Sequence, residues 1–382
     1  MKISQASTDQ TTECRVCKST KNHKGYDVES APQILGCAQE GRADQFISFG
    51  IWRCENCGFI STDADPEDMA YELLHSEALG PTWTRHKETL AKFCADSLPK
   101  GKEAQALEVG PSCNPLLYTI AHEGGIKATF IDMMQEAPFT VKDGDQYIEG
   151  AFPLELETKY DIIVASHVLE HVLDMQTFLS GAKNLLSENG SIIISVPNFE
   201  IWIGRKYWNA ITPEHINYPF KSHFETLANQ IGMEVTFTYF EEHSLISKFT
   251  KNRAQLASES KSEDFLTPWV SAITTSIQKA ENDLKESLSE KAADCVAIAG
   301  ASHIAQYPCL MSEKLAQNVT SVIDNSKIKH GKRLYGTNLT VSSFESLGEY
   351  QSPIAILFNS PYREEMKKQI NTINPNARII EV

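Results

Sequence analysis

The sequence has no run of 18 apolar residues and no apolar segment near its N-terminus, so neither a membrane-spanning helix nor a signal peptide is predicted. It is also poor in basic side chains: 35 Lys and Arg stand against 50 Asp and Glu, and the formal net charge is −15. Because nucleic-acid surfaces are built mainly from Lys and Arg, this balance argues against such a partner. We therefore expect a soluble, cytoplasmic protein that acts on a small molecule.

Four of the nine cysteines form two Cys-x-x-Cys pairs, Cys14/Cys17 and Cys54/Cys57. Four thiolates make a closed tetrahedral site with no position left for water, so we predict a structural Zn²⁺. Gly58 gives the backbone freedom to turn around the second pair. Two disulfides, or four unrelated buried cysteines, are the alternatives. The other cysteines follow no pattern, as in a reduced cytosolic protein: Cys37, Cys94, Cys113, Cys295 and Cys309.

No short repeat and no low-complexity tract interrupts the chain, and 382 residues are too many for one hydrophobic core. Composition and apolar spacing divide the chain into five parts. We predict a zinc-binding module (1–64), a helical connection broken at Gly80-Pro81 (65–99), a central α/β domain (100–251), a linking helix (252–291) and a smaller C-terminal α/β domain (292–382).

Strand and helix signals alternate in the central domain, which is typical of a doubly wound parallel sheet. Apolar runs predict strands at 106–109, 128–131, 146–151, 160–165 and 191–196. Helices are predicted from about Pro115, over 174–186 with its end at Asn189-Gly190, and over 221–231. Such sheets bind ligands at the carboxyl ends of their strands. That edge carries Gly110, Asp132, Ala151, Ser166 and Asn198.

The residues at this edge resemble the motifs of class I S-adenosylmethionine-dependent methyltransferases. The matching segments are 108–111, 131–132, 160–172 and 190–198. The resemblance implies that Gly110 lets the backbone approach the methionine part of the cofactor and that Asp132 holds both ribose hydroxyls. It also implies that Ala151 and Phe152 flank the adenine, and that Ser166 and His167 close over the cofactor. The remaining residues of the expected cofactor set are Glu108, Asn114 and Met133.

The glycine-rich loop departs from the family pattern, because Ser112 and Asn114 replace its second and third glycines. Both residue types adopt turn conformations, and Asn tolerates a positive φ. Another nucleotide-binding Rossmann protein is the alternative, although a dehydrogenase would keep Gly-x-Gly-x-x-Gly intact.

The run His167-x-x-Glu170-His171 also fits a zinc-peptidase pattern. That chemistry needs both histidines on one helix face, whereas this run directly follows a predicted buried strand. We therefore predict no peptidase site, and we expect His171 to pack at the start of a helix.

The order of cysteine module, methyltransferase-like domain and second α/β unit resembles the zinc-containing sugar C-3 methyltransferases, which methylate carbon in nucleotide-linked keto-deoxysugars. In the C-terminal unit the resemblance rests on Gly300-Ala-Ser302, Asp324-Asn325 and residues 329–337. In that family the unit helps to bind the nucleotide part of the acceptor, which implies a nucleotide-linked sugar as the partner. The alternative is a domain that merely covers the central one.

The segment 198–219 is long and aromatic and carries Arg205 and Lys206. Aromatic rings stack on sugars or bases and cations pair with phosphate, so we expect it to hold the acceptor. Near its end stands Glu214-His215. In the sugar C-methyltransferases the His of this pair is the proposed general base, which makes His215 and Glu214 the candidate catalytic residues. A pocket-shaping role is the alternative.

Two residues depart from the sugar-methyltransferase pattern. Thr212 and His75 stand where that family has tyrosines around the reacting carbon. The acceptor therefore does not follow from the resemblance alone. O- or N-methylation of a related small molecule, or a cofactor-binding scaffold without activity, are the alternatives.

Overall fold

The computed structural model describes residues 1–6, 10–38, 43–65, 80–111, 113–251 and 263–382. These residues form three sheets, which follow one another along the chain. His75, Ser112 and the rest of residues 66–79, for which helical spacing was predicted, lie outside the described residues. None of the described helices combines the length and the apolar character that crossing a membrane requires.

The N-terminal sheet is antiparallel and borrows its last strand from the central domain. In chain order its strands are β1 (Lys2–Gln5), β2 (Thr11–Thr12), β3 (Asn22–Pro32), β4 (Phe46–Cys54) and β5 (Ile60–Thr62). The order in space is β1-β3-β4-β5-β11, with β2 against β3 and with β11 being Asn217–Tyr218. Because β11 begins two residues after His215, the cysteine module is joined directly to the candidate catalytic segment.

The central sheet confirms the predicted parallel core. Five of its strands are β6 (Ala104–Val109), β7 (Ile126–Asp132), β8 (Gln146–Glu149), β9 (Tyr160–Ser166) and β10 (Leu186–Pro197). With β12 (Glu234–Phe240) and β13 (Ser244–Thr250), they follow the order β12-β13-β10-β9-β6-β7-β8. The five run parallel, and β13 and β12 form an antiparallel edge. The β9 run from Ile162 to Ala165 is fully buried, as expected for a strand covered on both faces.

The helices of this domain are α1 (Pro81–Ala95), α2 (Met175–Leu185), α3 (Phe199–Gly204) and α4 (Lys221–Ile231). The helix α1 begins at Pro81, whose fixed φ and missing N–H suit a first helical position. Asp174 caps α2 by accepting a hydrogen bond from the Thr177 N–H.

Two local predictions for this domain are wrong. The chain forms only a 3₁₀ turn at Leu117–Thr119 instead of a helix from Pro115, and the Glu108 carboxylate accepts hydrogen bonds from the N–H groups of Leu116 and Leu117 at the start of this turn. The helix α2 lies within one residue of the predicted 174–186 at each end, but Asn189-Gly190 does not close it. It ends at Leu185, and Leu186 already pairs with Tyr160 as the first residue of β10.

The segment 198–219 is also not the open aromatic loop that we predicted. It contains α3 and β11, and its large rings are buried instead of being exposed for stacking on a ligand. These rings fill the space where the three parts of the chain meet, because burying apolar area there is favourable. They are Phe199, Trp202, Tyr207, Trp208 and Tyr218.

The C-terminal part begins with the long helix α5 (Leu266–Glu290), whose predicted apolar face is buried. The parallel sheet that follows has the order β16-β15-β14-β17-β18. Its strands are β14 (Cys295–Ala299), β15 (Ser321–Ile323), β16 (Val341–Ser342), β17 (Pro353–Leu357) and β18 (Arg378–Glu381). Three helices, α6 (His303–Met311), α7 (Glu313–Asn318) and α8 (Arg363–Ile373), complete the unit.

The N-terminal and C-terminal parts also contact each other. The buried Gln306 amide donates to the carbonyl oxygens of Ile34 and Tyr335 and accepts from the Gly36 N–H. Arg333 pairs with Asp44 through both of its terminal nitrogens. These contacts set the cysteine module against the C-terminal unit.

Candidate functional site

The four paired cysteines lie together. The Sγ atoms of Cys14 and Cys57 are 3.7 Å apart, and those of Cys17 and Cys54 are 3.6 Å apart. A disulfide would bring two sulfurs to about 2.05 Å, whereas four thiolates at about 2.3 Å from one Zn²⁺ lie about 3.8 Å from one another. All nine cysteines are free thiols, so the disulfide alternative is wrong, and the donor set fits zinc.

The backbone turns tightly around both cysteine pairs. Lys18 and Gly58 have φ angles of 61° and 74°, and their N–H groups donate to the carbonyl oxygens of Cys14 and Cys54. The predicted use of Gly58 is confirmed. Between Cys14 and Cys17, the Arg15 guanidinium donates to the Ile216 carbonyl at 2.7 Å. The cysteine cluster therefore holds the residue that follows His215.

Gly110 stands at the end of β6 with φ +68°, a conformation that favours glycine. A Cβ at this position would lie 2.6 Å from Cγ2 of Val168, so the close approach of the two loops also requires glycine. Asn114 lies exposed in the same loop. Its backbone carbonyl oxygen accepts a hydrogen bond from Lys87 Nζ. The methionine part of the cofactor is expected to lie against this surface.

Asp132 ends β7, next to Gly110 at the same sheet edge. Its Oδ1 accepts from the Met134 N–H at 3.0 Å, and partial burial raises the pKa of its carboxyl group. The neighbouring Met133 is 76% exposed, so an apolar side chain and a half-buried acid border the same space. This pairing suits a ligand with a polar ribose and an apolar ring.

The other expected cofactor residues lie around that space. Phe152 packs edge-on against Phe178 with ring centroids 4.8 Å apart, and Ala151 beside it is exposed. Ser166 is half-buried at the end of β9. Glu108 is fully buried, both of its oxygens accept backbone N–H groups, and burial raises its pKa to about 7. Glu108 therefore fixes the backbone that follows the Gly110 loop, through its hydrogen bonds to Leu116 and Leu117.

His215 belongs to a compact group with Glu170 and His171, whose candidate donor atoms all lie within 4.8 Å of one another. The His171 and His215 rings meet edge to face with centroids 4.9 Å apart. His171 Nδ1 lies 2.7 Å from the Glu214 carbonyl oxygen and donates to it. The sequence predicts only a packing role for His171. Its position in the turn that follows a strand at the ligand edge is the signal that could have placed it in the site.

The backbone at His215 is held from two sides. Thr62 Oγ1 donates to the His215 carbonyl at 3.0 Å, and the Tyr218 hydroxyl lies 2.9 Å from the same oxygen. The Tyr218 hydroxyl also lies 2.8 Å from the Thr212 carbonyl and accepts from the Thr212 N–H. These contacts determine the direction of His215 without involving its ring.

Two buried carboxyl groups flank the histidines. Burial raises the pKa of Glu170 to about 7, with the nearby His171 opposing the shift. Burial and then the proximity of Glu170 raise the pKa of Glu214 to about 8. Groups that exchange protons near neutral pH therefore surround His215, which is the condition that acid–base chemistry requires.

His167 and His171 do not form one site, although both belong to the peptidase-like sequence pattern. Leu169–His171 is only a 3₁₀ turn, and His167 has φ +56°. The His167 ring lies instead beside Trp83, His86 and His243. Burial lowers the pKa of both His86 and His167 to about 3, so both rings are neutral.

The buried state of Glu214 predicts a pH-dependent effect on stability. Its folded pKa lies above the unfolded value, so the stability linked to this group is complete below the unfolded pKa and is lost as pH rises through the folded pKa. Glu214→Gln cannot ionise. The unfolding free energy of the variant, relative to the parent, should therefore rise by more than about 1.4 kcal/mol between about pH 5 and about pH 8.5. Denaturant titrations check this, and a pH-independent difference would contradict it.

Comparisons with known proteins address the central domain. The methyltransferase domain family matches residues 83–237. A search of curated proteins gave no match.

Three solved structures show the range of structural similarity. A Clostridium acetobutylicum S-adenosylmethionine-dependent methyltransferase is 9% identical over 46% of this chain and 93% of its own, with a TM-score of 0.35. The CurJ carbon methyltransferase is 14% identical over 44% and 54%, with a TM-score of 0.33. The Burkholderia thailandensis 1,6-didemethyltoxoflavin-N1-methyltransferase is 14% identical over 45% and 81%, with a TM-score of 0.32.

The family match covers the glycine turn, the acidic strand end and the Glu214-His215 segment described above. Residues 83–237 therefore form a class I S-adenosylmethionine-dependent methyltransferase domain, and the chain is a methyltransferase that uses this cofactor.

Proposed function

We propose that the protein transfers a methyl group to a carbon atom of a small, nucleotide-linked sugar, with His215 as the general base and a structural Zn²⁺ in the four-cysteine cluster. The observation that supports it most is the compact group of Glu170, His171 and His215 beside the ligand edge of the central sheet. Such a group moves protons near neutral pH, which methylation at carbon requires and simple amine methylation does not.

The cofactor supplies a methyl group bound to a positively charged sulfur. Asp132 binds the ribose hydroxyls through its carboxylate, and Gly110 allows the loop to approach the methionine part. Met133, Ala151 and Phe152 enclose the adenine. These roles fit the half-buried carboxyl group, the required glycine and the exposed apolar side chain at this edge.

His215 takes the proton from the acceptor carbon next to the ketone. The electron pair of that C–H bond then forms the new bond to the methyl carbon, while the electrons of the sulfur–methyl bond stay with sulfur. Glu170 stabilises the charge that His215 gains. His171, held by the Glu214 carbonyl, packs against His215 and restricts its ring. Thr62 and Tyr218 keep the backbone of His215 in place.

Tyr307 brings a phenol towards this group from the C-terminal unit. It is fully buried in α6, and burial together with nearby Tyr218 and Glu214 raises the pKa of its hydroxyl. In our proposal it takes the place of the family tyrosine that Thr212 replaces. The C-terminal unit then serves the acceptor as well as covering the central domain.

To test this proposal, the protein is incubated with cofactor that carries a labelled methyl group and with a panel of keto-sugar nucleotides as acceptors. We expect a product whose methyl signal in NMR is bonded to carbon. We also expect the acceptor's α-proton to exchange with D₂O in the absence of cofactor. Methylation on oxygen or nitrogen without exchange would favour the alternative chemistry. Cofactor binding without transfer to any acceptor would favour a scaffold.

Asp132→Ala should weaken S-adenosylmethionine binding by about 2 kcal/mol, roughly 30-fold, because it removes charge-assisted hydrogen bonds to the ribose. Isothermal titration calorimetry measures the change. The exposed Asp143→Ala is the matched control and should bind as the parent does. Equal affinities for both variants would refute the assignment of Asp132.

A further inference from the structure

Three histidines from distant parts of the central domain meet at the ligand edge of the sheet. His86 comes from α1, His167 follows β9, and His243 lies in the turn between β12 and β13. One candidate donor nitrogen from each ring lies within 4.8 Å of the other two. His86 and His243 are buried, whereas the His167 side chain is 15% exposed towards the edge.

The ring positions match those around one metal ion. With a metal–nitrogen distance of about 2.0–2.1 Å and tetrahedral angles, imidazole centroids lie about 5 Å apart. The observed separations are 5.3 Å for His86 and His167, 5.4 Å for His86 and His243, and 5.9 Å for His167 and His243. A contraction of these separations by about 0.3 to 0.9 Å would bring the three rings onto a shared ion.

Two of the rings each have one nitrogen hydrogen-bonded to an oxygen outside the group. His86 Nε2 lies 2.9 Å from Ser195 Oγ, and His243 Nε2 lies 3.0 Å from the Tyr362 hydroxyl. His167 Nδ1 lies 3.3 Å from Oε1 of the buried Glu170. Metal-binding histidines use their second nitrogen in this way, because the outer contact fixes the tautomer and the direction of the ring.

Two of the remaining nitrogens, on His243 and His167, share one neighbour. Ser244 Oγ lies 2.6 Å from His243 Nδ1 and 3.4 Å from His167 Nε2. A single hydroxyl thus occupies the space between two of the three rings, where a cation would bind both.

We propose that His86, His167 and His243 form a second metal site, distinct from the four-cysteine cluster, which binds a divalent transition ion of the Zn²⁺ or Co²⁺ class. Imidazole nitrogen is a preferred ligand of these ions, and three protein ligands leave a fourth position for water or an acceptor oxygen. The ligands are Nδ1 of His86, Nε2 of His167 and Nδ1 of His243.

The site joins parts of the chain that are distant in sequence. The ligands connect α1, β9 and the β12–β13 turn, and Tyr362 adds the C-terminal unit through His243. Glu170 contacts both His167 and the group around His215, so a metal here would lie one side chain away from the proposed base. The proposal stands whether or not the methyl acceptor is a sugar.

Cobalt titration of the zinc-loaded, full-length protein tests the site. We expect one equivalent of Co²⁺ to bind in addition to the zinc, with weak visible bands and without the intense near-ultraviolet bands that thiolate ligands produce. His86→Gln and His243→Gln should each weaken this binding at least about 100-fold, and Tyr362→Phe about 10-fold or more. His122→Gln, which changes a histidine bonded to the Lys102 carbonyl on the surface, should bind as the parent does.

Circular dichroism and cofactor affinity establish that each variant is folded. If His86→Gln does not fold, Tyr362→Phe carries the test, because it removes one hydroxyl and keeps the ring. The proposal is overturned if no second equivalent of Co²⁺ binds. It is also overturned if folded His86→Gln and His243→Gln bind the second equivalent with parental affinity, or if the bands show thiolate ligation.

Discussion

His215→Ala is expected to lower turnover by roughly 10²- to 10⁴-fold and to leave the affinity for S-adenosylmethionine unchanged. The reason is that the imidazole removes the acceptor proton in the proposed reaction, whereas the backbone of His215 is held by Thr62 and Tyr218 and does not depend on the ring. Single-turnover kinetics with a labelled methyl group measure the loss, and calorimetry measures the affinity.

The control for this variant is His122→Ala, which should retain parental turnover. Solvent exchange of the acceptor's α-proton should disappear in His215→Ala together with methylation, because both need the same base. If turnover stays within a few-fold of the parent, His215 only shapes the pocket, and the acceptor is one that needs little assistance from a base, such as an amine.

Cys54→Ser is expected to release the zinc and to lower the unfolding free energy of the N-terminal module by more than about 3 kcal/mol. A small module with four thiolates has too little hydrophobic core to remain folded without its metal. Methyl transfer should fall as well. The strand β5 and Arg15 hold the residues that follow His215, so loss of the cysteine cluster frees the proposed base from its support.

Elemental analysis and thermal unfolding measure the two effects of Cys54→Ser. The matched control is Cys113→Ser, at an exposed cysteine outside the cluster, which should keep one zinc and the parental stability. A Cys54→Ser protein that retains its full zinc content would show that the cluster does not bind the metal.

The parallel core was predictable because its signals are local. Continuous apolar runs such as Ile162–Ala165, each ended by a small or polar residue, specify buried strands and place their ends at one edge. The helix over 221–231 and the buried face of α5 were predictable for the same reason, since apolar spacing along a helix reflects which face is covered. The clustering of the four cysteines was predictable from the matched spacing of the two Cys-x-x-Cys pairs.

The errors share a cause, which is that distant partners override local signals. Pro115 would suit a helix start, but the chain beyond it forms only the 3₁₀ turn Leu117–Thr119. Asn189-Gly190 would suit a helix end, but pairing with Tyr160 begins at Leu186. The aromatic segment looked like a ligand-binding loop, yet its rings lie in the core because three parts of the chain converge on it.

Sequence alone determined the class of the protein: a doubly wound methyltransferase domain, preceded by four cysteines suited to zinc. Tertiary structure alone decided which histidines act together. His167 and His171 are neighbours in sequence but belong to different groups, and the histidines that each contacts are more than 40 residues away, at His215 or at His86 and His243. Spacing along the chain specifies local geometry, whereas a catalytic or metal site depends on which surfaces the packed core brings face to face.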